Sequence, residues 1–144
     1  LNSSTAFKSV GTGITVSDAE QNYAGGNLTV TLTTLDQNTS MTTEKLSILT
    51  QGNGPKQVNV TGNEISYSGL LIETWNGGNG IGSTPLEINW NSQATSASIQ
   101  AVIARIYYRK TSAAPVTSDR ILTFKLTDSL GAFNDPVTRA IHFL

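Results

Sequence analysis

Carboxylate side chains at two points of the chain are candidate ligands for a calcium ion. Asp18 and Glu20 are two residues apart in a segment with the composition of a turn, and Asp128 and Asp135 lie on either side of the turn at Gly131. Calcium takes about six to eight oxygen ligands, several of them from carboxylates. A chain with 10 acidic residues in 144 contains roughly 0.7 acidic pairs at this spacing by chance. The spacing alone therefore does not distinguish a metal site from ordinary turn carboxylates that cap backbone N–H groups.

Aromatic side chains suggest a second kind of chemistry, the stacking of a ring on a sugar. Trp90 is in phase with two apolar residues that precede it, so we expect it in the core. Trp75 precedes the glycine-rich residues 76–82 and is the candidate exposed platform for carbohydrate, with Tyr107 and Tyr108 as alternatives. The glycine-rich stretch lacks the Lys-Ser/Thr that follows a phosphate-binding loop, and is better interpreted as a hairpin loop.

Catalytic residue types are few and scattered. His142 is the only histidine and alternates with Ile141 and Phe143, which places it on the solvent face of a last strand. No Gly-x-Ser-x-Gly motif accompanies it. Glu73 and Glu87 fall on neighbouring predicted strands, but nothing in their local sequence predicts a raised pKa. The sequence therefore predicts a protein that is not an enzyme.

Composition excludes other classes of partner. The nine basic and 10 acidic residues give a net charge of -1, and the basic residues are not clustered, so nucleic acid is not an expected partner. No apolar run approaches the roughly 18 residues that span a bilayer, so membrane insertion is not expected either. The absence of cysteine excludes disulfides and thiolate metal sites.

Alternating apolar and polar residues dominate the elements that must position these side chains. In Asn27–Thr33 the residues Leu28, Val30 and Leu32 share one face, and threonines fill the other. The same period recurs at 46–48, 58–60, 65–67, 86–90 and 122–126, and the chain closes with a strand expected to turn Val137, Ile141 and Phe143 inward. Short strands separated by glycine and asparagine turns predict an antiparallel sandwich.

One segment has helical period instead. Between Thr95 and Ile106, four aliphatic residues that begin at Ile99 fall at i, i+3, i+4 and i+7, which is one face of an α-helix. Thr95 or Ser96 at its start is a suitable N-cap. So short a helix is marginal in isolation, and we expect its aliphatic face to pack on the sandwich.

Four stretches in this order carry a resemblance to a known family. They are Ile14-Thr-Val-Ser-Asp-Ala-Glu20, Gly25-Gly-Asn-Leu-Thr-Val30, Gln100-Ala-Val-Ile-Ala-Arg-Ile-Tyr-Tyr108 and Asp119-Arg-Ile-Leu-Thr-Phe-Lys-Leu-Thr-Asp128. Over nearly its whole length the chain resembles the cadherin-like, immunoglobulin-like repeats of large bacterial surface and adhesin proteins. The resemblance implies a Greek-key β-sandwich, export, and a tandem arrangement with similar modules.

The same resemblance implies calcium at the domain ends, and so favours Asp18, Glu20, Asp128 and Asp135 as ligands. The chain departs from the family pattern after Asp128, where Ser-Leu-Gly-Ala-Phe replaces a more acidic turn. In an immunoglobulin-like sandwich the first and last hairpin turns usually lie at opposite ends, so we expect the two pairs to meet only across neighbouring domains.

Together these observations predict one domain over residues 1–144, all-β, an immunoglobulin/cadherin-like Greek-key sandwich with one short α-helix at about 95–106 before the last strands. The expected function is that of a non-catalytic extracellular or cell-surface module, in adhesion or as a structural spacer, with calcium as the candidate stiffening ion. Its expected partners are neighbouring tandem domains and a cell-surface protein or glycan. The alternative is a carbohydrate-binding module of a secreted protein.

Overall fold

Alternating residues form strands throughout the computed structural model, which describes residues 6–16, 23–34, 44–74, 84–110, 119–128 and 137–141. The strands within these residues are β1 (Ala6–Ser9), β2 (Asn27–Thr34), β3 (Glu44–Ile48), β4 (Val58–Thr61), β5 (Glu64–Tyr67), β6 (Leu70–Thr74), β7 (Leu86–Trp90), β8 (Ile106–Lys110), β9 (Arg120–Thr127) and β10 (Val137–Ile141). The all-β prediction is confirmed.

The strands pair antiparallel in two sheets. A smaller sheet has the order β1-β8-β3, and a larger one has the order β10-β9-β2-β7-β6-β5-β4. The longest ladder joins β2 to β9 in continuous register from Asn27↔Thr127 to Thr34↔Arg120. β2 also pairs with β7, the last strand of the meander β4–β7, so a long connection returns the chain to the middle of the larger sheet. This arrangement is of the Greek-key type.

Burial follows the alternation of the strands. In β2 the side chains of Leu28, Val30 and Leu32 are buried, while the threonines between them are more exposed. Trp90, at the end of β7, is 3% exposed, so its predicted place in the core is confirmed. Val137 was expected inward, but it is 37% exposed because β10 is the edge strand of the larger sheet.

The predicted helix forms at Ser96–Ala104, which we call α1. Thr95 is its N-cap: its Oγ1 accepts a 3.2 Å hydrogen bond from Ser98 N, and Ser98 Oγ accepts one of 2.8 Å from Thr95 N. This reciprocal pair is a capping box. Ile99, Val102 and Ile103 are buried. The helix ends before Ile106, because that residue begins β8. Among the described residues no helix is long and apolar enough to cross a membrane.

The described chain path enters and leaves the sandwich at one end. β1 begins at Ala6, opposite Lys110, and Lys110 is also paired with Glu44. In the larger sheet β10 ends at Ile141, which is paired with Arg120. The Arg120 side chain contacts Glu44 directly, so these five positions share one end of the molecule. We call it the terminal end, and the opposite end, which carries α1, the distal end.

Candidate functional site

Most of the residues predicted as ligands lie outside the described part of the chain. These are Asp18, Glu20, Asp135 and Trp75. Asp128 is described and half-buried, and it follows β9 at the distal end. In the described ranges there is no cluster of three or more His, Cys, Asp or Glu residues that could hold a metal ion.

The residues that flank the two acidic segments are described, although the segments themselves lie outside the described residues. Val16 and Tyr23 flank the segment that contains the first acidic pair, and both contact α1: Val16 N donates to Gln100 Oε1 at 2.9 Å, and the Tyr23 hydroxyl lies 2.6 Å from Ser96 Oγ. Asp128 follows β9 at the same distal end. The described residues that flank the two acidic segments therefore share the distal end, and the prediction about the turns themselves stays a prediction.

A groove of about 600 Å³ lies at the distal end. One side is the outward face of α1, where Ala97, Ala101 and Ala104 leave room because their side chains are small. The loop of residues 13–16 forms a second side, and Lys56 and Tyr67 line the remainder. A volume of this size is within the range of small-molecule sites, about 300–1,000 Å³.

Close packing fixes the first loop against α1. Gly11 lies so near the helix that an added Cβ would stand 1.9 Å from the Ile103 carbonyl oxygen, which no other residue tolerates. The Gln100 amide accepts from Val16 N, and this bond assigns its oxygen to the loop and leaves its NH₂ group as a donor beside the groove. The first loop and the helix thus form one continuous wall.

Backbone hydrogen bonds hold the opposite wall. Lys56 adopts the left-handed conformation, with φ 59°, and its N–H donates to Ser68 Oγ at 2.8 Å. Ser68 N donates back to the Gln57 carbonyl at 3.0 Å, and the next residue pair, Val58↔Tyr67, belongs to the β4–β5 ladder. Because β7 runs towards the distal end and β5 runs the same way, Tyr67 ends its strand there.

The charge of the described groove lining is positive. Lys56 supplies the positive charge of the groove. Gln100, Thr15 and Tyr67 supply an amide and two hydroxyls that can donate hydrogen bonds. No carboxylate is among the described residues that line it. Among the described residues Lys56 is exposed and forms no ion pair.

Buried charges at the terminal end have a different role. Arg120 Nε donates to Glu44 Oε1 at 2.6 Å, its Nη2 donates to Glu44 Oε2 at 3.0 Å, and the Tyr108 hydroxyl donates to Glu44 Oε1 at 2.5 Å. Burial and the bond to the Glu44 carboxylate raise the pKa of Tyr108 above its ordinary value. Arg120 belongs to the larger sheet and Glu44 to the smaller, so this cluster fastens one sheet to the other.

Tyr108 is fully buried in that cluster, so it cannot be the exposed sugar platform that the sequence offered as an alternative to Trp75. Tyr107, its neighbour on β8, is half-buried. The aromatic ring that the structure places at a groove is Tyr67 instead.

Glu73 is fully buried in the larger sheet, beside Ile65 of β5 and Trp90 of β7. Burial raises the pKa of its carboxyl group to about 8. The backbone of Asn89 offsets part of this rise in pKa, but neither carboxyl oxygen makes a hydrogen bond of full geometry in the described structure, and the same is true of Trp90 Nε1. The expectation of an ordinary pKa is wrong for this residue. Glu87 alternates with the buried residues of β7 and faces the other side of the sheet, so the two carboxylates cannot act together on one bond.

Sequence reasoning missed Lys56, Tyr67 and Gln100 as site residues. They come from a loop, a strand and a helix, and no spacing along the chain connects them. The one local signal was the alanines on the polar side of α1. In the sequence they indicate helix propensity, and they do not by themselves predict space for a ligand.

Comparison of the chain with protein-family models, with curated proteins and with solved structures gave no match.

Proposed function

We propose that this chain is a non-catalytic extracellular module that acts in adhesion by presenting a ligand-binding groove at its distal end. One observation carries the proposal. The chain path enters β1 and leaves β10 at the terminal end, and the groove lies at the opposite end of the sandwich. A module attached in this way holds its groove one domain length away from whatever carries it.

The same path bears on the alternative role of structural spacer. In a head-to-tail array each domain adds its full length only when the chain enters at one end and leaves at the other. Here Ala6 and Ile141 mark the same end, so a sandwich inserted in a longer chain would project sideways from it. We therefore favour presentation of a binding surface over extension of an array.

Calcium belongs to this proposal as a stiffening ion of the distal end. Asp128 lies there, and Val16 and Tyr23, which flank the segment of Asp18 and Glu20, lie there too. Calcium bound there would stiffen the distal end of a single domain.

Retention of the fluorescently labelled chain on an array of neutral oligosaccharides, acidic oligosaccharides and acidic peptides tests the proposal. Ala97 is exposed on α1 and lines the groove, so Ala97→Leu places a larger side chain in the groove while it keeps a good helix former. The matched control is Lys45→Met, at an exposed position of β3 near the terminal end. We expect retention that Ala97→Leu abolishes and Lys45→Met leaves unchanged. No retention, or retention indifferent to Ala97→Leu, would refute the groove as the adhesive site.

A further inference from the structure

The polar groups of the groove include one positive charge, that of Lys56, which a neutral ligand would leave without a counter-charge. A neutral sugar presents hydroxyls, which both donate and accept, and sites for them commonly combine acceptors with donors. The described lining adds a cation, Lys56, to the donor NH₂ of Gln100 and to the hydroxyls of Thr15 and Tyr67, which can donate or accept, and it includes no carboxylate. This set is complementary to a ligand with a negative charge and several acceptor oxygens.

The apolar part of the groove is built mainly from small side chains. Ala97, Ala101 and Ala104 give the helix side a surface of methyl groups, and the half-buried Tyr67, which also packs against the core, lines another part of the groove. The apolar C–H face of a pyranose ring packs on surfaces of this kind. A groove of about 600 Å³ also accommodates a short saccharide more readily than a folded partner.

An acidic peptide would satisfy the charge but has less to bind here. Extended peptides gain affinity by pairing with an exposed strand edge. The nearest edge strand of the larger sheet is β4, and it is already capped: Val58 N donates to Gln51 Oε1 at 3.0 Å, and Val60 N donates to Thr50 Oγ1 at 3.0 Å. Gln51 N also donates to the Val58 carbonyl at 2.7 Å. The backbone groups that would hold a peptide are occupied.

We infer that the distal groove binds an acidic saccharide, with the ring on Tyr67 and the alanine face of α1 and the carboxylate at Lys56. The inference rests on the proposed function and adds the class of ligand. Gln100, held by its bond to Val16 N, donates to ring or hydroxyl oxygens. The Lys56 contact is solvent-exposed, so it contributes selectivity for charge more than affinity.

Calorimetric titration with an oligouronic acid, with its carboxyl-reduced counterpart and with a poly-glutamate of equal charge tests this ligand class. We expect the oligouronic acid to bind, and the other two to bind at least about threefold more weakly. Lys56→Met should weaken oligouronate binding about three- to fivefold at low salt, and less as salt screens the contact. Lys45→Met, the control, should change nothing. Amide chemical-shift changes on titration should fall at Thr15, Gln100 and Ala101.

Each contrary outcome overturns the inference. Equal binding of the carboxyl-reduced sugar would show that the groove does not recognise the carboxylate. Equal binding of poly-glutamate would show that it does not recognise the sugar ring. Equal weakening by Lys45→Met would reduce Lys56 to a contributor to net charge. A neutral sugar or peptide whose retention is lost in Ala97→Leu would remove the ligand class and leave the proposed function standing, whereas the absence of any groove-dependent retention would remove both.

Discussion

The buried carboxyl group of Glu73 makes stability depend on pH in a direction opposite to that of most carboxylates. In the folded chain its pKa is raised from 4.5 to about 8 because Ile65, Trp90 and the sheet exclude water from it. In the unfolded chain it ionises near its ordinary pKa. Between these two values the unfolded state has released a proton that the folded state retains, so stability falls as pH rises.

The magnitude follows from the width of that interval. A change of 1.36 kcal/mol per pH unit across the interval from 4.5 to about 8 gives an upper value of about 5 kcal/mol. Water penetration and local relaxation lower it, and we expect about 2–4 kcal/mol. This part of the stability is fully present below pH 4.5, declines through neutral pH, and is lost above pH 8.

Chemical denaturation of the parent chain and of Glu73→Gln at pH 5 and pH 8 measures this effect. Glutamine has nearly the same shape and does not ionise. The free energy of unfolding of the variant, relative to that of the parent, should therefore rise by about 2–4 kcal/mol from pH 5 to pH 8. Glu64→Gln, at an exposed site on β5, is the matched control and should show no such change. A difference between parent and Glu73→Gln that is the same at both pH values would show that Glu73 is not held protonated by the fold.

Three further predictions concern the packing and the ends of the sandwich. Ile103→Ala should lower the free energy of unfolding by about 2–5 kcal/mol, because Ile103 is 2% exposed on the buried face of α1. A loss under about 0.5 kcal/mol in denaturant titration would show that the helix is peripheral. Arg120→Met should cost about 3–5 kcal/mol, since it leaves the Glu44 carboxylate buried without its cation, whereas Arg139→Met on exposed β10 should have little effect in the same titration. Calcium at about 100 times its dissociation constant should stabilise the chain by about 2.7 kcal/mol, and identical thermal melts in calcium and in chelator would contradict calcium binding.

The regular part of the fold was readable from sequence because one physical cause, burial of one face, acts on every strand. Leu28, Val30 and Leu32 alternate cleanly, and the sheet follows them. The start of α1 was readable because Thr95 caps it locally. Its end was not, since Ile106 satisfies both the helical spacing and the inward phase of β8, and pairing with β3 decides between them.

Irregular pairing explains the failure at Glu73. The register between β5 and β6 shifts after Ile65, so Ile72 is an extra residue on its strand. Such a bulge turns two consecutive side chains to the same face, and both Ile72 and Glu73 are buried. Strict alternation would have placed Glu73 in water. The buried Arg120, by contrast, was visible in principle, because it is in phase with the inward Leu122 at the start of β9.

The buried ion pair of Glu44 and Arg120 lies at the end where the chain enters and leaves the sandwich, and this position suits the proposed function. The strands at which the chain enters and leaves belong to different sheets, β1 to the smaller and β10 to the larger. A pulling force on a ligand at the distal end would therefore be carried to the anchor through both β1 and β10. Such a force would pull the two sheets apart at the terminal end. Glu44 and Arg120 join them at that point with two hydrogen bonds of 2.6 and 3.0 Å. A buried ion pair adds little net stability over apolar packing, but it is directional and costly to separate, and resistance to separation is what an adhesive module needs where it is anchored.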